Sequence, residues 1–218
     1  MESSIKTKAY WVKILPVLVW HALYLIFCGS FSKYTRVYFD LAFYLGILLY
    51  FSMWKAWNFS QWRKALGSGK RFWQAALLTA LGMALMFGVG MGISMIFPKA
   101  DSGLGSFYVT NWPSLIAFAL VTVFLPPIAE ELFYRKAIPA YDNKLILIAT
   151  TSTSVFLYAS EHSLVPLGFL QACLWAIPLS IAYLKTKNVY VCMTAHFICN
   201  FAFNGFTVLS YITKLLGA

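Results

Sequence analysis

Residues 102–135 read SGLGSFYVTNWPSLIAFALVTVFLPPIAEELFYR. No charged residue occurs from Ser102 to Ala129; Glu130 and Glu131 then stand side by side, and Arg135 follows one helical turn after Glu131. An ionised side chain at the centre of a membrane helix costs at least about 2.5–3.5 kcal/mol. The chain has only 7 acidic residues in 218, so three ionisable groups gathered at the end of one apolar run mark a membrane helix that carries chemistry.

Composition extends that reading to the whole chain. Hydrophobic residues make up 61% and charged residues 11%, against about 25% charged in a soluble domain. Too few polar groups exist to cover a globular surface, so the solvent must be mostly lipid. The net charge of +10 does not signal nucleic acid. Basic residues fall between apolar runs and form no continuous patch with interleaved aromatics. Cationic loops beside anionic lipid account for the excess.

Cys28, Cys173, Cys192 and Cys199 lie in apolar stretches without CxxC spacing, so they read as packing or lipid-facing residues. Lys6, Lys8 and Lys13 precede an apolar run in the manner of a signal peptide, but no small-x-small cleavage site follows. Ile26 and Phe27 are too bulky for a lipoprotein cleavage box before Cys28. The segment reads as a first span that stays in the membrane.

A membrane-crossing helix needs about 20 mostly apolar residues. Candidates are 14–32, 38–54, 72–97, 113–134, 145–161, 164–184 and 189–210. The expected fold is therefore all-α, a polytopic transmembrane helix bundle of about seven (six to eight) spans. Residues 1–218 form one integral membrane domain, with the catalytic motifs inside 113–205. Alternate connections, starting with the N-terminus, carry 13 of the 17 Lys and Arg residues. The positive-inside rule then places the N-terminus in the cytoplasm, and seven spans would leave the C-terminus outside. Residues 57–73, WNFSQWRKALGSGKRFW, read as a cytoplasmic loop whose aromatics anchor at the headgroups. Gly88 and Gly92 form a GxxxG that suits close helix packing.

Glu131 and Arg135 are four residues apart with the acid first, the favourable order for a helical ion pair. That pairing neutralises Glu131 and leaves Glu130 as the carboxylate available to take a proton from water. Pro126 and Pro127 break the helical hydrogen-bond ladder just upstream, which lets the helix restart near the site. His162 follows Tyr158 by four residues, on one face; Glu161 reads as facing water. His196 and Asn200 are again four apart inside the uncharged run Asn188–Thr213, and both can donate hydrogen bonds to a developing oxyanion. Asn204 extends that face by a turn, and His21 reads as structural. Each signal taken singly has a bland explanation, as an interfacial residue or an interhelical hydrogen bond. Their conjunction is a plausible set of base, acid and oxyanion donors.

The motifs Glu130-Glu131-Leu-Phe-Tyr-Arg135, Tyr158-Ala-Ser-Glu-His162 and His196-Phe-Ile-Cys-Asn200 together resemble the CAAX protease and bacteriocin-processing family, also called the Abi family. Its members are glutamic-type intramembrane endopeptidases and include the enzymes that trim prenylated CAAX proteins. The resemblance covers residues 113–205 and implies a role for each matched position. Glu130 activates the hydrolytic water, aided by His162; His196 and Asn200 form the oxyanion hole; Glu131 and Arg135 support the site. The second motif usually opens with Phe and here has Tyr158, which keeps an aromatic wall. Many bacterial members have Gly where this chain has Lys136.

The expected function is thus hydrolysis of a peptide bond in a membrane-associated peptide or protein, with membrane lipid as the other partner and no nucleic acid. No cofactor or metal is expected, since the chain lacks HExxH; a zinc enzyme using His162, His196 and a Glu is the enzymatic alternative. A catalytically idle scaffold or bacteriocin self-immunity factor is the non-enzymatic one. A proton-coupled transporter would also bury acids and His, but no inverted repeat is visible. The expected location is a prokaryotic plasma membrane. One geometric conflict stands. His162 lies 18 residues beyond Lys144, about 27 Å along a straight helix, whereas Glu130 and His196 sit near the opposite face by these boundaries. A shared site requires a tilted fifth span, or a fourth span that runs past Arg135.

Overall fold

The computed structural model describes the backbone of residues 2–217 and the side chains of residues 12 and 14–217. The cationic side chains of Lys6, Lys8 and Lys13 lie outside the described residues. The described chain is helical throughout, in eight helices without a strand: α1 (Glu2–Phe27), α2 (Arg36–Met53), α3 (Phe59–Leu66), α4 (Lys70–Ile96), α5 (Trp112–Ala137), α6 (Lys144–His162), α7 (Pro166–Thr186) and α8 (Val189–Leu216).

Seven of these stand where the seven spans were expected. Five (α2, α4, α5, α7 and α8) are long and apolar enough to cross a membrane, and Ile14–Ser30 is a shorter apolar stretch. Helix α6 reaches 19 residues but falls below the others in hydropathy, because Thr150 to Ser154 and Ser160 to His162 are polar. Its buried polar side chains face protein, not lipid: Thr150, Ser154, Ser160 and Glu161 are all buried. Leu78, Leu81 and Leu85 of α4 are each more than 60% exposed, an apolar exterior suited to acyl chains. The protein is an integral membrane protein.

Helix α5 is the axis of the bundle. Of its apolar window 61% is buried, against 28–39% in the other four spans. It starts on an Asn111 capping box, with Pro113 in the first turn where no N–H is needed. It is not a regular α-helix: Leu120–Phe124 and Glu131–Ala137 are π-helical, flanking an α-turn over Pro126–Glu130. Such wide turns concentrate at functional sites. Pro126 has no N–H to give to Thr122, four residues earlier; the Thr122 carbonyl instead accepts from Asn204 Nδ2 of α8 at 3.1 Å. Asn204 thus answers the backbone group that the proline orphans.

The depth conflict resolves through α5. The helix runs to Ala137, two residues past Arg135, and the connection folds back so that the Ala140 N–H meets Thr150 Oγ1 at 3.0 Å. Ser154 Oγ donates to the Tyr134 carbonyl. This antiparallel register carries Glu130 up to the level of Tyr158 and Glu161.

Two sequence readings need correction. Gly88 and Gly92 have no side-chain neighbour within 4 Å of where a Cβ would sit. Close packing occurs instead at Gly82, 3.2 Å from Pro178, and at Gly90, 3.2 Å from Gln171 of α7. These positions face α7, while the GxxxG pair turns away. The 57–73 segment also contains a helix, α3, capped by Asn58. Trp62 does not float at the headgroups: its Nε1 donates to Thr194 Oγ1 of α8 at 2.9 Å.

Candidate active site

Helices α1, α2, α4, α5, α6, α7 and α8 enclose a cavity of about 560 Å³ whose wall includes Glu130, Tyr158, His162, His196 and Asn200. Four motif groups that lie up to 70 residues apart in sequence therefore face one chamber. Met83, Phe87, Phe107, Trp175 and Phe203 supply its apolar surface.

Glu131 and Glu130 diverge as adjacent helical residues must. Glu131 Oε2 is 3.5 Å from Arg135 Nε, and both side chains are almost wholly buried. The guanidinium also lies 4.6 Å from the Tyr158 ring centroid, a cation–π contact that holds its plane. Glu131 does not line the cavity; it reaches His196 instead, with Nδ1 2.9 Å from Oε1. Because the Arg135 pairing keeps Glu131 ionised and able only to accept, the Nδ1 hydrogen of His196 points to Glu131. Nε2 is then presented to the chamber, 3.9 Å from Glu130 Oε2.

His162 is fixed the other way round. Its Nδ1 lies 3.0 Å from the Tyr158 carbonyl, which can only accept, so Nδ1 carries the hydrogen and Nε2 keeps a lone pair. Tyr158 stacks against it, ring centroids 4.4 Å apart. Helix geometry accounts for both contacts, since the two residues are one turn apart and α6 ends at His162.

Glu130 Oε1 accepts from the Tyr44 hydroxyl of α2 at 2.8 Å. The same hydroxyl is 2.7 Å from Glu161 Oε1, and Tyr134 donates to Glu161 Oε2. Glu161 is buried and lines the cavity, which overturns the expectation that it faces water. His21 likewise has company: Nδ1 lies 3.1 Å from the Tyr134 hydroxyl and Nε2 3.3 Å from Ser160 Oγ. Farther along the wall Tyr24 donates to Asp40 at 3.0 Å, and Arg36 Nε is 3.8 Å from the same carboxylate.

Tyr24, Arg36, Asp40 and Tyr44 all line the chamber and were missed in the sequence. The signal was present for three of them. Arg36, Asp40 and Tyr44 recur every four residues along α2, one stripe on one face, and Asp40 is an acid inside an apolar span. Among the described residues no three His, Cys, Asp or Glu side chains converge in a way that could hold a metal ion.

Residues 112–202 match the family model "Type II CAAX prenyl endopeptidase Rce1-like". That segment belongs to the CAAX protease and Abi family. The match begins at the first residue of α5 and ends two residues after Asn200, so it spans the three motifs and the helices that carry them. No curated protein and no solved structure matches the chain. Membership indicates a CAAX protease whose substrate is membrane-associated.

Proposed function

We propose that the protein is a glutamate-dependent intramembrane endopeptidase, with Glu130, His162, His196 and Asn200 touching the reacting groups. The observation that carries this reading is the convergence of those four side chains on one largely apolar chamber of about 560 Å³. A water held between Glu130 and His162 Nε2 is the nucleophile. Its oxygen bonds to the scissile carbonyl carbon as one O–H bond breaks and the proton passes to Glu130. The carbonyl π electrons move onto oxygen. Asn200 Nδ2 and a protonated His196 Nε2 meet that oxyanion, in a site where little water competes. Glu131 makes the second proton on His196 tolerable, because the imidazolium faces a carboxylate 2.9 Å away. Collapse of the intermediate breaks the C–N bond, and Glu130 returns its proton to the leaving nitrogen.

Glu131 in this scheme is a positioning residue for His196, and Arg135 holds Glu131; Tyr158 walls His162. The substrate class is the one the family description names, a prenylated CAAX tail, whose apolar portions suit the chamber's aromatic lining. N-terminus inside and a bacterial plasma membrane remain the topology and setting we infer from the Lys and Arg distribution.

The test is cleavage of a prenylated CAAX peptide by the full chain in proteoliposomes, with product identified by mass spectrometry. Glu130→Gln should lower kcat by about 10²–10⁴-fold, the range for loss of a general base. Undiminished cleavage by Glu130→Gln would overturn the mechanism. An undiminished cellular phenotype together with no cleavage by the parent protein would favour the scaffold or immunity role.

A further inference from the structure

Tyr44 stands between two buried carboxyls, its hydroxyl oxygen 2.8 Å from Glu130 Oε1 and 2.7 Å from Glu161 Oε1. A phenol has one hydrogen to donate. If both carboxyls were ionised, that hydrogen could meet only one of them. The other would press an oxygen lone pair against the phenol oxygen at hydrogen-bond distance. One carboxyl must therefore carry a proton and donate it to Tyr44. The contacts beyond Glu161 do not relieve this count. Tyr134 gives its hydrogen to Glu161 Oε2, so His21 Nδ1 must donate to the Tyr134 oxygen, 3.1 Å away. Each remaining hydrogen in the chain has its acceptor, and one proton is left with two possible seats.

We propose that Glu130 and Glu161 share a single proton through Tyr44, and that Glu161 is the positioning residue that holds it while Glu130 acts as base. The second half of this statement rests on the proposed role of Glu130; the shared proton does not. Exchange moves two hydrogens together. The Glu130 O–H hydrogen passes to the Tyr44 oxygen as the Tyr44 hydrogen passes to Glu161, and no charge is created or lost. The ionisable groups around the pair are Asp40 on α2, Glu131 and Arg135 on α5, His21 on α1 and His196 on α8.

A shared proton has a signature that a private one lacks. In Glu161→Gln the amide N–H donates to Tyr44, Tyr44 donates to Glu130, and no extra proton is needed. In Glu130→Gln the same holds with the roles exchanged. Infrared spectra of the full chain in nanodiscs at neutral pH should therefore show the carbonyl stretch of a protonated carboxylic acid. That band should vanish in either single variant. Persistence of the band in one variant, its persistence in both (as from Asp40), or its absence from the parent protein would each overturn the proposal. This reading needs no substrate, so it stands or falls apart from the protease assignment.

Turnover of the prenylated CAAX peptide supplies the functional arm. Tyr44→Phe should lower kcat by about 10²-fold with KM unchanged, as for loss of a poised base. Glu161→Leu should do the same. Glu161→Gln, which mimics the protonated seat, should stay within about threefold of the parent. A 10²-fold loss in Glu161→Gln at parental thermal stability would refute the assigned role.

Discussion

The Glu131–Arg135 pair gives the most quantitative prediction. The charges are 3.5 Å apart with both side chains at 1% exposure or less. At an effective dielectric constant of about 20, that separation corresponds to about 5 kcal/mol of attraction. Arg135→Met deletes one partner and leaves the glutamate facing His196 alone. Breaking a buried pair in this way costs about 3–5 kcal/mol. At this chain length that is on the order of 10 °C in melting temperature. Glu131→Gln should lose a similar amount, because it strands a guanidinium among the Tyr134 and Tyr158 rings. The double variant Glu131→Gln/Arg135→Met strands nothing, so a cycle of the four proteins should give a coupling of at least about 2 kcal/mol. The assay is thermal unfolding in one detergent, followed by tryptophan fluorescence. Additive single losses, or an Arg135→Met melt within a degree or so of the parent, would refute the ion-pair argument.

Further outcomes follow from other contacts. His196→Ala and Asn200→Ala should each cut kcat by about 10²–10³-fold with smaller changes in KM, read by peptide cleavage, since each removes one oxyanion donor. Asn204→Leu orphans the Thr122 carbonyl and should destabilise by about 1–3 kcal/mol in the same melting assay. Gly168→Ala places a methyl group against the Ser102 carbonyl and should cost about 1–3 kcal/mol as the 101–105 segment moves away.

Helix positions were legible because lipid imposes one strong rule, an apolar run long enough to cross, and α2, α4, α5, α7 and α8 all obey it. Helix α6 was legible too, despite its serines and threonines, because its flanks are clear at Lys144 and His162. The π turns of α5 were not. A wide turn depends on which neighbour can satisfy a displaced carbonyl, and Asn204 lies 82 residues from Thr122. The ion pair could be read from spacing, since residues four apart on a helix meet whatever surrounds them. Glu161 could not, because adjacency to His162 at a helix end looks the same whether the end is wet or covered by Tyr44 and Tyr134. Reading α2 for polar stripes would have recovered Asp40 and Tyr44, and with them the wall contributed by the first half of the chain. The GxxxG misled because two glycines four apart describe a smooth helix face without saying which face a partner takes.

The irregular winding of α5 has a consequence for how this chain tolerates insertions and deletions. Each wide turn accommodates a surplus residue in a stretch that is otherwise α-helical. Deleting one residue from 120–124 would let the backbone tighten to ordinary pitch and swivel all that follows by about 100°. Glu130 would rotate out of the chamber while the bundle's apolar outline survived. Length at that point behaves as an angular setting, so a shortened chain could insert, fold and remain inert.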